Sequence, residues 1–459
     1  MKVGVRMHEQ KMQVLQTTVS KLLRRGATTN LKKALAKIHP ADIAHLFRYF
    51  DFPQQKTLLE LTPELDRVAD VLAELEPEAW PKIAELLDRD YLISIVREMA
   101  DDDSAVFLRS LPDELAEEIL TQLHDDQSED VEHLLGYDED TAGSIMSTDV
   151  FSLDQDITVK QAIEALQDSE DYEMVFYVYV TDEHNHLVGV LSLRQLLTVP
   201  PVTKLADIMS TNVMRVRADM DQEEVADLVA KYNILAIPVV DDQGKLLGLI
   251  TVDDIIDVMR NEATEDILRM AGTTEEEMLL GFKSLKIARL RLPWLLTTLI
   301  GGVVTGTLMW SFRATLEQAI MLISFIPVIT GMGGNVGSQT STILVRGFAT
   351  GRVDFSMIRR IFLKELRVGL IMGIVCGLTI ALVAAVWHQN AYFGIVVGTA
   401  MVTAITVAAC MGVLVTAFFK KVGIDPAIAS SPIVQTVNDI TGILIYFSTA
   451  TLFLPYLVS

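Results

Sequence analysis

From Pro293 onward the sequence presents five apolar runs in succession, each long enough to cross a bilayer. A hydrocarbon core of ~30 Å needs about 20 helical residues, and lipid-exposed backbone must satisfy its own hydrogen bonds, so this feature demands a helical bundle. The runs lie near Pro293–Phe312, Gln318–Phe348, Val368–Trp387, Tyr392–Phe419 and Ser431–Leu457. The second and fifth are long enough to be bent or tilted. Charge divides the chain at the same place. Residues 291–459 hold ten Lys/Arg and five Asp/Glu, so residues 1–290 carry −28 of a chain whose net charge is −23. A strongly acidic soluble half suits metal cations and disfavours nucleic acid. The two cysteines, Cys376 and Cys410, both fall in apolar runs, which argues against a disulfide framework or a thiolate metal site. The opening "MKVGVRMHEQ" has no apolar core after it and does not read as a secretory signal.

Loop charges orient the bundle. "KSLKIARLR" precedes the first run, "RGFATGRVDFSMIRRIFLKELR" joins the second to the third, and Lys420–Lys421 precede the fifth. "HQNAYF", between the third and fourth, has no Lys or Arg, and neither does the C-terminal tail. The positive-inside rule therefore places the N-terminus in the cytoplasm and the C-terminus outside, which an odd number of spans requires.

Two polar features sit inside the apolar half. One is "PVITGMGGNVGSQTS", Pro327–Ser341; the other is Asn438–Asp439 within the fifth run. Asp439 follows Asp425 by 14 residues, ~21 Å if helical throughout. A mid-bilayer carboxylate costs ~2.5–3.5 kcal/mol, and such residues line a water-filled path or pair with a partner. No basic residue lies in the runs away from their ends, and Asp439 reads as their only deep ionisable group, a candidate cation ligand. The glycine tract is expected to hold non-helical backbone lining a cavity, where carbonyls and the Asn335 amide approach an ion. Close helix packing through small residues is the alternative for the glycines. The candidate ligands are all oxygens, which points to a hard cation rather than zinc or copper. Mg²⁺ keeps its waters and is held by one or two carboxylates, so one Asp per chain doubled in a symmetric dimer suits it. Spacing alone does not separate Mg²⁺ from Mn²⁺ or Ca²⁺.

In the acidic half, residues 31–135 read as short helices. Leu75, Leu87, Met99, Leu111 and Leu123 recur every twelve residues, the mark of stacked units that cannot bury a face alone. "ADDDSA", residues 100–105 and centred on Asp102, is a solvated helix cap or a cation site at an interface. Residues 138–260 contain a duplication. "DTAGSIMSTDVFSLDQDITVKQAIEAL" matches "KLADIMSTNVMRVRADMDQEEVADLV", and "FYVYVTDEHNHLVGVLSLRQLL" matches "LAIPVVDDQGKLLGLITVDDII". The pattern resembles a tandem pair of CBS domains. Such pairs bind adenine nucleotides through G-h-h-T/S-x-x-D, present here as Gly248, Thr251 and Asp254; the first copy has Gly189, Ser192 and Gln195. ATP at these domains is therefore a candidate ligand. The segment "DDIIDVMRNEATEDILRMAG" follows. At 100° per residue Asp253, Asp254, Asp257, Glu262 and Glu265 spread over one side, with Asp266 adjoining, while Ile255, Ile256, Met259, Ala263 and Met270 take most of the other. With Asp221 and Glu223 nearby in sequence, these carboxylates are candidate sites for divalent cations that relieve their repulsion; a merely solvated face is the alternative.

Taken together, the chain resembles the MgtE family of magnesium transporters. The membrane signature P-x-x-x-G-x-G-G-N-x-G stands at Pro327–Gly337, and "DPA…SGP…ND" stands at Asp425–Ala427, Ser430–Pro432 and Asn438–Asp439, with Ser431 where the family commonly has Gly. The resemblance implies a multi-domain membrane protein: an acidic α-superhelical N domain (1–135), tandem α/β CBS domains (136–199 and 200–256), a connecting plug helix and linker (257–291), and a five-helix all-α transmembrane domain (292–459). It further implies a homodimeric Mg²⁺ channel of the bacterial inner membrane, with its pore at the dimer axis. Asp439 would attract hydrated Mg²⁺ and Asn335 would lie near the cytosolic mouth. Internal Mg²⁺ would bridge the acidic faces and close it. No P-loop or nucleophile–base constellation suggests an enzyme. The rival reading is a CBS-regulated secondary transporter of another divalent cation or a small solute, which would be expected to show inverted repeats.

Overall fold

Leu75, Leu87, Met99, Leu111 and Leu123, spaced by twelve, each close a short helix onto a common core, where all five are at most 7% exposed. This arrangement comes from a computed structural model that describes residues 2–123, 125–168, 177–274, 284–429 and 432–458. The chain divides into two units, Met1–Met259 and Arg260–Ser459.

In the first unit, helices pack on the helix two places along. Pro40–Leu46 lies on Leu65–Ala73, Phe52–Leu61 on Trp80–Leu86, Leu65–Ala73 on Arg89–Arg97, and Asp101–Arg109 on Asp125–Leu135. That offset winds the stack into a superhelix. Basic side chains finish the helix ends, whose last carbonyls have no partner within the helix. Lys56 donates to the Leu86 carbonyl (2.7 Å), Arg67 to Ile38 (2.6 Å), and Arg109 to Leu134 (2.8 Å) and Tyr137 (2.9 Å).

The duplication folds as two three-stranded sheets of the same design. In the first, β1 (Ser152–Asp154) runs parallel to β2 (Tyr177–Thr181), which pairs antiparallel with β3 (Leu187–Ser192). In the second, β4 (Val216–Arg217), β5 (Ala236–Val240) and β6 (Leu246–Thr251) repeat it. The register shifts at the same place in both, between Val180 and Thr181 and between Val239 and Val240. The repeated "IMST" segments cross over. Ser147, ahead of the first sheet, pairs with Leu249 of the second, while Ser210, ahead of the second, pairs with Val190 of the first. Gly189 and Gly248 permit this exchange. A Cβ at Gly248 would lie 2.5 Å from the Ser147 carbonyl oxygen, and one at Gly189 would strike the Met209 side chain.

The second unit is a helical bundle. Among the described residues four helical segments are long and apolar enough to cross a membrane: Ser284–Ser311, Ile320–Ala349, Phe355–His388 and Ala391–Val422. The fifth expected run forms the helix Pro432–Leu452, whose 21 residues include Gln435, Asn438 and Asp439, too polar to join that set. It packs on Ser284–Ser311, Ile326–Ala349 and Ala391–Val422. Glycines form the seams. Gly369, Gly373 and Gly377 recur every fourth residue and meet Thr406, Val402 and Gly398 of the facing helix, so Ile358–His388 and Ala391–Val422 form a close antiparallel pair.

Two expectations are corrected here. The tract Pro327–Ser341 is continuous α-helix within Ile326–Ala349, not irregular backbone; small residues let it pack tightly, and packing keeps every peptide group in the helix. The third run begins earlier than its apolar stretch, at Ile358, and carries Glu365 inside the bundle at 7% exposure. Asp439 is therefore not the only enclosed ionisable group. On Val252–Met270, Ile255 is buried while Ile256 and Met259 stand 59% and 48% exposed, so the apolar side is only partly covered.

Leu111→Ala is expected to destabilise the first unit by about 2–5 kcal/mol, read as a lowered denaturant midpoint of the full chain. Val106→Ala, on the exposed side of the preceding helix Asp101–Arg109, should stay within about 0.5 kcal/mol.

Candidate cation sites

The first unit gathers carboxylates from three helices that are far apart in sequence. Asp101, Asp102 and Asp103 form the first turn of Asp101–Arg109, where the helix dipole favours negative charge. Asp253, Asp254 and Asp257 lie in the opening turns of Val252–Met270, and Asp70 and Glu74 close the helix Leu65–Ala73. Their charges act on one another. Burial raises the Asp103 carboxyl to about 7, with Asp254, Glu74, Asp70 and Asp253 adding to the rise. Burial lifts Asp102 well above the usual carboxylate range, assisted by Asp103 and Asp254. Asp254 is pushed up to about 6, first by burial and then by Asp253 and Asp257, against a lowering bond from Thr251. Glu74 is raised by burial and by Asp257. One oxygen of Asp102 is sealed from solvent without a hydrogen-bond partner. The arrangement can take up protons or a hard cation, and either would remove the repulsion.

The other acidic candidates have local partners. Asp221 caps the helix Gln222–Tyr232 by accepting from the Glu223 backbone N–H at 2.8 Å, an anchoring role that belongs to the turn itself. Farther along Val252–Met270 the chain enters the second unit. There Arg269 pairs with both Glu265 and Asp425, and it lies in the field of Glu262. Burial and the Asp425 charge raise Asp266. Glu265 is thus an ion-pair partner in this structure rather than an open ligand. Through Arg269 the connecting helix is tied to the segment that leads into Pro432–Leu452.

The nucleotide-like residues also hold the fold. Gly248 admits the crossing Ser147 segment, and Asp254 accepts from the Thr251 hydroxyl (2.6 Å) and backbone N–H (3.3 Å) at the start of Val252–Met270. Ser192 and Gln195 make the matching capping box in the first copy.

In the membrane unit the glycine-bearing helix Ile326–Ala349 runs antiparallel to Pro432–Leu452. Tyr446 bonds the Leu322 carbonyl (2.8 Å), Gly442 faces Ile329, Gly334 faces Gln435, and Gly337 faces Val434 and Asn438. A side chain at Gly337 would occupy the Asn438 amide, so the glycine lets that amide lie on the neighbouring backbone. Asn438 is 1% exposed, and neither its amide oxygen nor its nitrogen has a hydrogen-bond partner. Leaving a buried amide unmet costs ~1–3 kcal/mol, so a ligand or water belongs there. Asp439 beside it is half-buried, one turn beyond the exposed Gln435. Asn335 and Gln339 occupy an exposed stripe of the facing helix, at helical spacing. Polar amides on an open face at membrane depth suit a water-filled path or a second subunit, not lipid. Glu365 accepts from Thr340 (3.3 Å) and pairs with Lys364 (3.1 Å).

Asp70, Glu74 and Glu365 escaped sequence reasoning. Both Asp70 and Glu74 join the cluster only through the winding of the superhelix. Glu365 sits next to Lys364 and reads as a loop charge; its one signal is the uninterrupted helical pattern from Ile358.

Fold and sites together define a multi-domain membrane protein in which a stack of short helices and a pair of CBS domains precede a helical bundle. Family models match in the same order: "MgtE intracellular N domain" over 38–140, "CBS domain" over 142–201 and 205–261, and "Divalent cation transporter" over 326–449. The magnesium transporter MgtE of Thermus thermophilus is 36% identical over 448 residues, covering 96% of this chain and 98% of that one. The magnesium transporter MgtE of Enterococcus faecalis is 42% identical over 334 residues, 72% and 73% of the two chains. Among solved structures, the cytosolic domain of the Mg²⁺ channel MgtE in complex with ATP is 35% identical, with a TM-score of 0.51, over 53% of this chain and 99% of that one. The chain belongs to the MgtE family of magnesium transporters. Within the family motif, Ser430 and Ser431 lie outside the described residues, as does 275–283 of the expected linker.

A carboxyl with a higher pKa in the fold than in the unfolded chain holds its proton more tightly when folded. Stability therefore falls as pH rises from the ordinary carboxylate value near ~4 through the folded values of about 6 and about 7. In chelator, the thermal midpoint of the first unit is expected to drop between pH 5 and pH 8. Adding Mg²⁺ should restore it at pH 8 and change little at pH 5. Asp103→Asn/Asp254→Asn should flatten both responses.

Proposed function

We propose that this chain is a Mg²⁺-selective channel that passes Mg²⁺ inward and is closed by cytosolic Mg²⁺. The observation that carries the reading is the Asn438–Asp439 pair: a sealed amide with unmet bonding capacity beside a half-buried carboxylate, on a helix more polar than the four long apolar ones. Asp439 supplies charge and Asn438 and Asn335 supply amide oxygens, a donor set for a hard cation that keeps part of its water. Influx needs no catalytic cycle, because the membrane potential contributes ~2.3 kcal/mol per charge per 100 mV.

Regulation is read from the acidic cluster. Mg²⁺ held among Asp102, Asp103, Asp253, Asp254 and Asp257 would draw the superhelix onto the second CBS copy. Loss of Mg²⁺ would restore the repulsion and let them part. The populations then shift by differential cation binding. Val252–Met270 carries the change, and its Arg269–Asp425 pair supports a path toward the aspartate helix. Glu223, Glu262, Glu265 and Asp266 would add to the sensing surface when Mg²⁺ competes with their present partners.

Several further assignments accompany this reading. The chain forms a homodimer: Leu295, Leu299, Ile300 and Val303 on Ser284–Ser311 and Leu197 and Val202 beside the first CBS copy are 61–83% exposed, apolar surface that lipid and a second copy would cover. Pro432–Leu452 is the fifth span, giving a cytoplasmic N-terminus and an outer C-terminus in a bacterial inner membrane. The domains divide at 135, 199, 256 and 291. ATP binds at Gly248, Thr251 and Asp254, for which the ATP complex of the 35% identical cytosolic domain is the support.

The test is Mg²⁺ influx into liposomes containing the purified full chain. Wild type is expected to conduct, and Asp439→Ala to lose at least tenfold, while Asp354→Ala, at an exposed helix cap, conducts normally. Unchanged flux in Asp439→Ala would remove the pore assignment.

A further inference from the structure

The hairpin between β2 and β3 carries a group that neither the acidic cluster nor the membrane helices use. Asp182, His184 and His186 each turn one donor atom into a common space, all within 4.8 Å of one another. The sequence "TDEHNH" builds it. Asp182 Oδ1 accepts the backbone N–H groups of His184 (2.9 Å) and His186 (2.9 Å), which folds the turn and returns both imidazoles to the same carboxylate. His186 Nδ1 then stands 3.0 Å from Asp182 Oδ2. Two donors around one ion at ~2.0–2.1 Å lie about that far apart. An ion between these two atoms would replace their hydrogen bond.

The second copy of the duplication is an internal control. Asp241 makes the same turn, accepting from Gln243 N–H and Lys245 N–H at 2.8 Å each. In the places of the two histidines it has Gln243 and Lys245. The turn therefore needs only its aspartate, and the imidazoles are not required to form it. The hairpin is also held in place. Leu187 N–H donates to the Gly244 carbonyl (3.0 Å), Leu246 N–H to the Asn185 carbonyl (2.9 Å), and Asn185 Nδ2 to the Leu246 carbonyl (3.2 Å). The two hairpin tips thus lock together, and the donors sit on a fixed frame. Asp182 and His186 are part-buried, at 26% and 34% side-chain exposure, while His184 is exposed and leaves an approach from solvent.

We propose that Asp182, His184 and His186 form a binding site for a first-row transition dication, with Zn²⁺ as its representative, distinct from the acidic Mg²⁺ cluster. Two imidazoles and one carboxylate are a borderline donor set that favours Zn²⁺, Co²⁺ or Ni²⁺ over Mg²⁺, which prefers oxygen and sheds water reluctantly. Backbone donors hold the Asp182 carboxyl down at about 2, so it is ready as an anion at any physiological pH. With three protein ligands on an open turn, water completes the coordination. An ion there clamps the first-copy hairpin whose tip is locked to the second.

The test is Zn²⁺ retention by the full chain in detergent, measured by elemental analysis and titration with Zn²⁺ alone in a large excess of Mg²⁺ that fills the oxygen sites. One Zn²⁺ per chain is expected to survive the Mg²⁺. His184→Ala/His186→Ala should lose that equivalent and bind at least tenfold more weakly, whereas Lys245→Ala should bind as wild type. Co²⁺ should give a visible d–d band that the double variant lacks. His184→Asn, at an exposed position, guards against misfolding and should also weaken binding. Equal Zn²⁺ content in the wild type and double variant, or none retained in either, would overturn the site and leave the Mg²⁺ reading untouched.

Discussion

Repulsion between carboxylates is the constraint on which the acidic half depends. Asp70, Glu74, Asp102, Asp103, Asp253, Asp254 and Asp257 come from three helices and act on one another across the join between the superhelix and the second CBS copy. A folded protein cannot leave such a group ionised, partly desolvated and uncompensated without cost. Protons or cations must share the space, so the stability of this arrangement becomes a function of their concentration. In the proposed regulation, the same repulsion would supply the opening force when the cation leaves. A neutral interface of equal area would be more stable and would sense nothing.

The membrane unit meets an opposite demand, that of hiding backbone while exposing a few polar groups. Gly337, Gly334 and Gly412 allow the helices to approach until the Asn438 amide and the Gly337 carbonyl are covered by their neighbours. The seam Gly369–Gly373–Gly377 does the same for the long antiparallel pair. With backbone needs met inside intact helices, Asp439, Asn438, Asn335 and Gln339 are free for other work. Glycine here serves close approach, and the irregular backbone expected of Pro327–Ser341 is not needed to bring oxygens to an ion.

Much of this was legible in the residues. The twelve-residue leucine recurrence, the duplicated "IMST" units and the apolar runs are local periodicities, and periodicity reports directly on which face is buried. Asp102, Asp254 and Asp257 could be singled out because each stands in a run of like charge. What stayed hidden was tertiary. Asp70 and Glu74 reach the cluster only after the superhelix turns, and Arg269, which pairs with Glu265 one turn away, is held as well by the distant Asp425. Gly248 and Thr251, which resemble a nucleotide motif, also admit a crossing strand and cap a helix. A motif shared between a fold requirement and a ligand cannot be divided by sequence alone.

The proposed link between cation, cluster and pore is tested most directly by the inhibition of Mg²⁺ flux by luminal Mg²⁺ in liposomes whose channels face inward with their cytosolic half. The account predicts a steep closing curve for wild type. For Asp102→Asn/Asp257→Asn it predicts a curve shifted at least tenfold in Mg²⁺ or flattened altogether, with conduction through the Asp439 path retained. An inhibition curve identical to wild type in that variant would contradict it.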